Sequence, residues 1–534
     1  MSKSQTHPSP SRRGLLLGGA LLAGESLLHA SHDGARNATV AGGNATPSAN
    51  VYASIGVRPL INCKGTYTII SGSQSLAEVK TAMEAASHHY VHLDELMGAV
   101  SKRLAELTQA EWGIVTAGCA AALTHATAAC IAGSNPERMQ RLPDLTGMKS
   151  EVIMPRYSRN EYDHAVRMLG VKMIEVETAE QLQNAFNAKT AMVLVLSCPA
   201  AESGPLSIPE VARAARQHGV PMIVDAAAEN LTIPNIHLAH GATMVAYSGG
   251  KILRGPQCAG LLLGPKDLLQ AAWINSAPHH AFGRSLKVGK EEIIGMLTAV
   301  ECWVKRDHEA EWKAWQSYLD AIGSQVTKVA SVTTSVRQPE DLSNHAPELV
   351  IRWDGKTVGI TGEEAQKILL DGEPRIIVGD ATGNRRDNTP SSLTIMPYMM
   401  MPGDSEVVAR KLHALLSNPP AIPALPAALA PAVDVSGVWD VKLTFLYGTS
   451  AHQIEFEQKG PQLSGIHRGE ILKGDLTGVV EGSAVRFHSA HHIEGTNLHY
   501  SFAGTVDGPA MSGEVGLGEY GSARWTATRH AYRT

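Results

Sequence analysis

Between residues 51 and 320, short apolar runs alternate with segments of helical periodicity, and this alternation constrains the fold more than any other feature of the chain. The run at 191–197 is uncharged and almost wholly apolar, as a strand buried on both faces must be. Further strand candidates lie at 111–116, 151–154, 172–176, 221–224, 244–247 and 260–263. Helical stretches at 101–109, 120–131, 161–169 and 208–217 separate several of them, and Gly170 and Gly219 serve as stops for the last two. Strands that alternate with helices predict an α/β domain with a largely parallel sheet covered by helices. In such a sheet, polar groups just past the C-terminal strand ends are natural site residues.

A chain of 534 residues exceeds one ordinary core, so further domains are expected. Residues 321–416 read as a small α+β lobe. Residues 417–433, rich in proline and alanine, read as a semi-stiff linker. From 434 to 534 the period changes. Short strands at 439–447, 452–457, 481–488, 496–502 and 523–529 are separated by recurring glycines. That pattern predicts an antiparallel β-barrel or sandwich. Nothing in it suggests catalysis, and the pair His491-His492 reads as a surface turn.

Charged residues make up 18% of the chain and the formal net charge is -5, so no broad basic field points to a nucleic-acid partner. The 23 histidines show no metal-ligand spacing, and no metal site is expected. The six cysteines form no C-x-x-C motif and read as thiols rather than a disulfide framework. At the N-terminus, Arg12-Arg13 precedes an apolar run too short for a confident membrane span. The expectation is a twin-arginine signal peptide over 1–30, a flexible leader over 31–50, and export to the periplasm or otherwise out of a bacterial cell by the twin-arginine machinery.

The chemistry concentrates in 51–320. Lys251 follows a strand, Ser248 and the pair Gly249-Gly250, and is enclosed by Arg254 and Gly255-Pro256. One reading is a turn with a solvated lysine. The other is a lysine held rigidly against a cofactor aldehyde, with glycines that let backbone approach a flat ring. Asp225 ends an apolar strand ahead of that lysine. It could be a helix cap, or it could pair with a protonated pyridine nitrogen. Gly118 and Cys119 join a strand to a helix of small residues, where backbone amides can hold a phosphate or small side chains can allow close packing.

Together these stretches resemble the fold-type-I pyridoxal-phosphate (PLP) enzymes, in the branch of bacterial selenocysteine synthase and D-glucosaminate-6-phosphate ammonia-lyase. The resemblance covers about 51–415. It includes Gly56 to Asn62, Gly65 to Thr68, Thr116 to Ala121, Val224 to Ala227, Ser248 to Lys251 and the long stretch Phe282 to Glu292. It implies an aspartate-aminotransferase-like fold with PLP as cofactor and Lys251 as its Schiff-base lysine. It further implies Asp225 at the pyridine nitrogen, phosphate contacts from Gly118, Cys119 and Ser248, and a homodimer or higher homo-oligomer. Tyr157 is the candidate to stack on the ring, with packing as its alternative role. Arg375 resembles a small-domain arginine for a substrate carboxylate, with a surface edge-strand role as the alternative.

The implied activity is that of a lyase. It would act on a small amino acid or amino sugar acid, abstract the α-proton and eliminate or deaminate at the β-position. Amino transfer and racemisation share the early steps and stay open. An exported ligand-binding protein without chemistry is the reading from another class. The relatives of this branch are cytoplasmic and one acts on an aminoacylated tRNA, so the export signal and the missing basic platform are departures from it.

Overall fold

The computed structural model describes residues 51–385, 389–423 and 429–531. The expected signal peptide and leader lie outside them, as does part of the linker. The chain divides into an N-terminal unit ending at Arg58 and a second unit from Pro59 onward. Within the first, Ala53–Ile55 form a 3-10 turn closed by Gly56 at φ 74°.

The second unit begins with β1 (Leu60–Cys63). A seven-stranded sheet then comprises β2 (Trp112–Thr116), β3 (Glu151–Pro155), β4 (Lys172–Val176), β5 (Thr190–Leu196), β6 (Met222–Asp225), β7 (Met244–Ser248) and β8 (Gly260–Gly264). Its order is β2-β8-β7-β6-β5-β3-β4. The pairings of β3 with β4, β3 with β5, β5 with β6 and β6 with β7 are parallel, whereas β8 runs antiparallel to both β7 and β2. The expected largely parallel sheet is therefore observed with one reversed strand. Six of the seven residues of β5 are buried, as its uncharged apolar run requires.

This topology brings the C-terminal ends of β2, β5, β6 and β7 to one edge. Register places Leu196 beside Asp225, and Asp225 beside Ala246. Thr116 and Ser248 both pair with Gly260. A Cβ on Gly260 would collide with the Gly118 carbonyl, so the turn after β2 can close down only on a glycine.

The small lobe contains β9 (Thr333–Arg337), β10 (Glu348–Trp353), β11 (Arg375–Val378), β12 (Ala381–Thr382) and β13 (Ser391–Ile395). A four-stranded sheet runs β12-β13-β10-β9, while β11 pairs in parallel with β1. The start of the second unit is thus built into the lobe expected at 321–416. Its core, around Ile351, Trp353, Leu393 and Leu412, is distinct from that of the large domain.

The C-terminal domain is a closed barrel of eight antiparallel strands. They are β14 (Gly437–Thr444), β15 (Thr449–Lys459), β16 (Gln462–Arg468), β17 (Lys473–Glu481), β18 (Ala484–Ile493), β19 (Thr496–Asp507), β20 (Ala510–Gly516) and β21 (Ser522–Arg529). Closure removes the exposed edges that a sandwich would leave. The barrel corrects one expectation. His491 is not on a surface turn but is buried at 4% exposure, inside β18, with His467 and His452 beside it. No cluster suited to a metal ion occurs among the described residues, and no described helix is long and apolar enough to cross a membrane. The six cysteines are free thiols, of which Cys63 and Cys119 are buried.

Candidate active site

Lys251 sits in the loop after β7. Its two preceding glycines are sterically required. A Cβ on Gly249 would lie 2.9 Å from the Ala259 carbonyl oxygen, and one on Gly250 would strike the Gln257 side chain. The loop folds back on itself through Gly249 N–H to Ala259 O at 2.8 Å and Gly255 N–H to Gly249 O at 2.8 Å. It is also tied to the chain before the sheet by Ser73 N–H donating to Gly250 O at 3.0 Å. The half-buried lysine is thereby carried on a rigid frame rather than a solvated turn.

Asp225 is 4% exposed. Its Oδ1 accepts from the Ala227 amide at 3.1 Å and from the Cys119 thiol at 3.5 Å. No ion pair joins its carboxylate among the described residues. Burial pushes the Asp225 carboxyl up, while the positive charge of Lys251 pulls it back toward the ionised form. The Cys119 thiol is pushed well up, first by burial and then by the Asp225 charge, so it is a neutral donor to the carboxylate.

Cys119 opens the helix Cys119–Ala132. Gly118, at φ 92°, precedes it and no side chain caps it. The first-turn amides of this helix are therefore available to an anion. A Cβ on Gly118 would meet nothing within 4 Å, so the space beside this turn is open. Ser248, at the end of β7, is held by its own amide, which donates to Ala227 O at 3.2 Å.

A cleft of about 160 Å³ runs between the lobes. Lys251, Tyr162, Lys64, Thr66, Glu348 and Asp380 are among its lining residues. Tyr398 closes one wall. Its hydroxyl accepts from Thr66 N–H at 3.2 Å and lies 3.1 Å from Asn344 Oδ1. Lys64 is presented by a turn that Asn62 organises, its Oδ1 accepting from the Lys64 and Gly65 amides at 2.9 and 3.0 Å.

Two of the expected residues lie elsewhere. Tyr157 does not line the cleft; its hydroxyl donates to Leu206 O at 2.6 Å and its ring packs against the large core. The aromatic that the β3–β4 loop does bring to the lysine is Tyr162, with Lys251 Nζ 5.9 Å from its ring centroid. Arg375, at the start of β11, donates from Nε to Leu370 O at 3.0 Å and is not among the residues lining the cleft. Besides Lys251, the cleft contains a second cation in Lys64, which the sequence reading missed. Its nearest sequence signal is Asn62 two positions earlier, a residue type that builds tight turns.

Residues 57–268 match the profile of the Cys/Met metabolism PLP-dependent enzymes. The chain is 29% identical over 334 residues to D-glucosaminate-6-phosphate ammonia lyase of Salmonella typhimurium, which covers 61% of this chain and 88% of that protein. It is 26% identical over 377 residues to 5'-C-glycyluridine monooxygenase-decarboxylase of a Streptomyces species, covering 68% and 92%. A shorter match, 26% over 194 residues, links it to L-seryl-tRNA(Sec) selenium transferase of Proteus mirabilis, covering 32% and 41%. Among solved structures, that of D-glucosaminate-6-phosphate ammonia-lyase superposes with a TM-score of 0.61 at 26% identity, covering 69% of this chain and 98% of that one. The chain is therefore a PLP-dependent enzyme with the fold-type-I architecture. Within that class it is related to D-glucosaminate-6-phosphate ammonia-lyase and to the selenocysteine synthases.

The residues present fit the cofactor. A buried carboxylate without a cationic partner in contact suits a protonated ring nitrogen. An uncapped helix start beside open space suits a phosphate, and a framed lysine suits covalent attachment.

Proposed function

We propose that this chain is a PLP-dependent carbon–nitrogen lyase acting on a small amino acid or amino sugar acid. The observation that carries this reading is Lys251, which the Gly249-Gly250 frame places in the lining of a cleft between the lobes and near enough to buried Asp225 for its charge to act on that carboxyl. Relatedness to an ammonia-lyase over most of that protein's length supports elimination over the other reactions of the class. The monooxygenase-decarboxylase relative shows that the fold alone does not choose the reaction.

In this reading Lys251 is the attachment lysine. Bound PLP supplies a carbonyl for the substrate amine and a ring that accepts the electron pair left at the α-carbon. Asp225 holds the proton of the ring nitrogen, its charge maintained by the Ala227 amide and the Cys119 thiol. Gly118 and Cys119 provide the phosphate seat through backbone amides at the helix start, and Ser248 through its hydroxyl, its amide being taken by Ala227 O. Lys251 Nζ would take the α-proton as general base, and the electron pair so released would form the α–β double bond as the β-substituent leaves with its bonding pair. Tyr162, rather than Tyr157, covers the lysine. Lys64 offers the second positive charge, suited to a substrate carboxylate, while Glu348 and Asp380 disfavour a second anionic group on their side of the cleft.

The test is Lys251→Ala with the wild type alongside. Wild-type protein with added PLP is expected to develop a visible absorption band that the variant lacks. Incubation with amino acids and amino sugar acids is then expected to release ammonia and a 2-oxo acid in equal amounts. Transfer of nitrogen to an added oxo acid would make it an aminotransferase, and inversion at the α-carbon alone a racemase. A wild type without the band would favour a binding protein.

A further inference from the structure

The loop that covers Lys251 is held by the C-terminal barrel. Between β3 and β4 the chain makes two 3-10 turns, Arg156–Ser158 and Glu161–Asp163. Asn160 sits between them, and its Oδ1 accepts from the Tyr162 amide at 2.7 Å, so the placement of Asn160 sets where the Tyr162 backbone goes. Next to it the Arg159 side chain is only 5% exposed. Its guanidinium reaches Asp163 at 2.7 Å and Glu175 at 2.9 Å within the large domain. The third arm reaches Glu494 at 2.5 Å, a residue of the β18–β19 turn of the barrel.

The neighbouring residue in that turn lies in close contact with the loop. A Cβ on Gly495 would collide with the backbone of Asn160. The turn thus touches the residue that positions Tyr162 and neutralises the arginine beside it. Arg167 adds a longer contact to Glu494 at 3.9 Å.

Arg159 shares Asp163 and Glu494 with Arg167, and Glu175 with Arg156, so removing Glu494 leaves two guanidiniums on the single buried carboxylate of Asp163 and upsets the charge balance at low exposure. Nothing in the folding of a self-contained, closed barrel requires its turn to supply that partner. Nor does a linker-tethered domain need a glycine shaped to another domain's backbone.

We propose that the barrel is part of the active site, with Glu494 and Gly495 as positioning residues that hold the 156–163 loop and keep Tyr162 over Lys251. This rests on the reading of Lys251 as the cofactor lysine. Glu494 acts through Arg159, and Gly495 through Asn160; neither touches the reacting atoms.

The test uses the full chain with Glu494→Gln, Glu494→Asp and Gly495→Ala, and Glu514→Gln elsewhere on the barrel as control. Backbone hydrogen exchange of 156–163 is measured first without cofactor. Glu494→Gln is expected to speed it about two- to fivefold, the span of a half-exposed ion pair. Gly495→Ala is expected to speed it further, Glu494→Asp to restore it in part, and the control to leave it unchanged. With PLP added, both loosened variants are expected to shift the visible band and raise KM more than they lower kcat, with barrel exchange unchanged. Unaltered exchange at 156–163 in both variants would overturn the proposal. So would faster exchange with an unmoved band and unmoved KM, which would reduce the contact to packing. Failure of the PLP reading shows separately, as a wild type that forms no Lys251-dependent band.

Discussion

Acid is expected to loosen the barrel, and the reason lies in three imidazoles packed together in its interior. His452 Nδ1 lies 2.8 Å from His467 Nε2. His467 Nδ1 in turn lies 2.8 Å from Ser489 Oγ and 3.1 Å from His491 Nε2. The Tyr500 ring packs on His467 with centroids 5.1 Å apart. Glu470 favours the charged form of His452, and the Lys473 backbone does so for His491, but no carboxylate is bonded to His467. Burial, followed by the neighbouring imidazoles, pulls His467 down to about 3.

Because the folded pKa is below the unfolded one, the unfolded chain binds the proton more tightly, and stability rises with pH between the two values. The stability is complete above about pH 6.5 and is lost as pH falls below it. At pH 5, about 1.5 units under the unfolded value, the loss from His467 alone is about 2 kcal/mol, or roughly thirtyfold in local opening. Amide exchange of β16 and β18, followed from pH 7.5 to 5 and corrected for intrinsic rates, reads this directly. Protection is expected to fall about thirtyfold, while β10, which contains no histidine, serves as reference. Equal protection of β16 and β18 at both ends of that range would refute the reasoning, because it would mean the imidazoles either are already charged when folded or find water on protonation.

Asp225→Asn is expected to leave the protein folded, since the amide replaces a carboxylate that burial already disfavours, but to cut turnover at least about a hundredfold by withdrawing the ring-nitrogen partner; steady-state kinetics alongside the visible spectrum check this. Lys64→Ala is expected to weaken substrate binding by about 1.5 kcal/mol, roughly tenfold, the low end for a charged contact at a half-buried site. Arg375→Ala, whose guanidinium is engaged with Leu370 O, is expected to leave affinity unchanged in the same titration. Replacing Arg12 and Arg13 by lysine is expected to retain PLP-loaded protein in the cytoplasm, read by cell fractionation, with undiminished export counting against a twin-arginine route.

The features legible in the sequence are those in which a short segment carries its own signal. A short, uncharged apolar run such as that of β5 must be buried, and its length suits a strand better than a helix; Asp225 and Ser248 stand at the ends of such runs. Direction is not encoded this way: β8 reads Gly-Leu-Leu-Leu-Gly, nearly the same in either sense, so its antiparallel placement could not be seen. The strands β16, β17 and β20 were missed because their alternation is diluted by glycine and polar residues that face solvent. His491 was readable. Val485, Phe487, Ser489 and His491 occupy every second position of β18 and are all buried, so the period that predicts the strand also turns His491 inward and leaves His492 out.

The displacement of Tyr157 by Tyr162 is of another kind. Both lie on one loop whose 3-10 turns have no periodic signature, and their fates are decided by partners far away in sequence. Tyr157 is drawn inward by Leu206 O, 49 residues on. Tyr162 is set by Asn160, against which Gly495 packs, while Arg159 meets Glu494 335 residues away. Chemistry at a strand end is specified by local pattern because the strand fixes the direction in which the next residues leave the sheet. The cover over that chemistry is specified by contacts between domains, for which no local pattern is required. A domain added at the C-terminus can therefore reshape the mouth of an inherited site without altering one residue of the motifs that identify it.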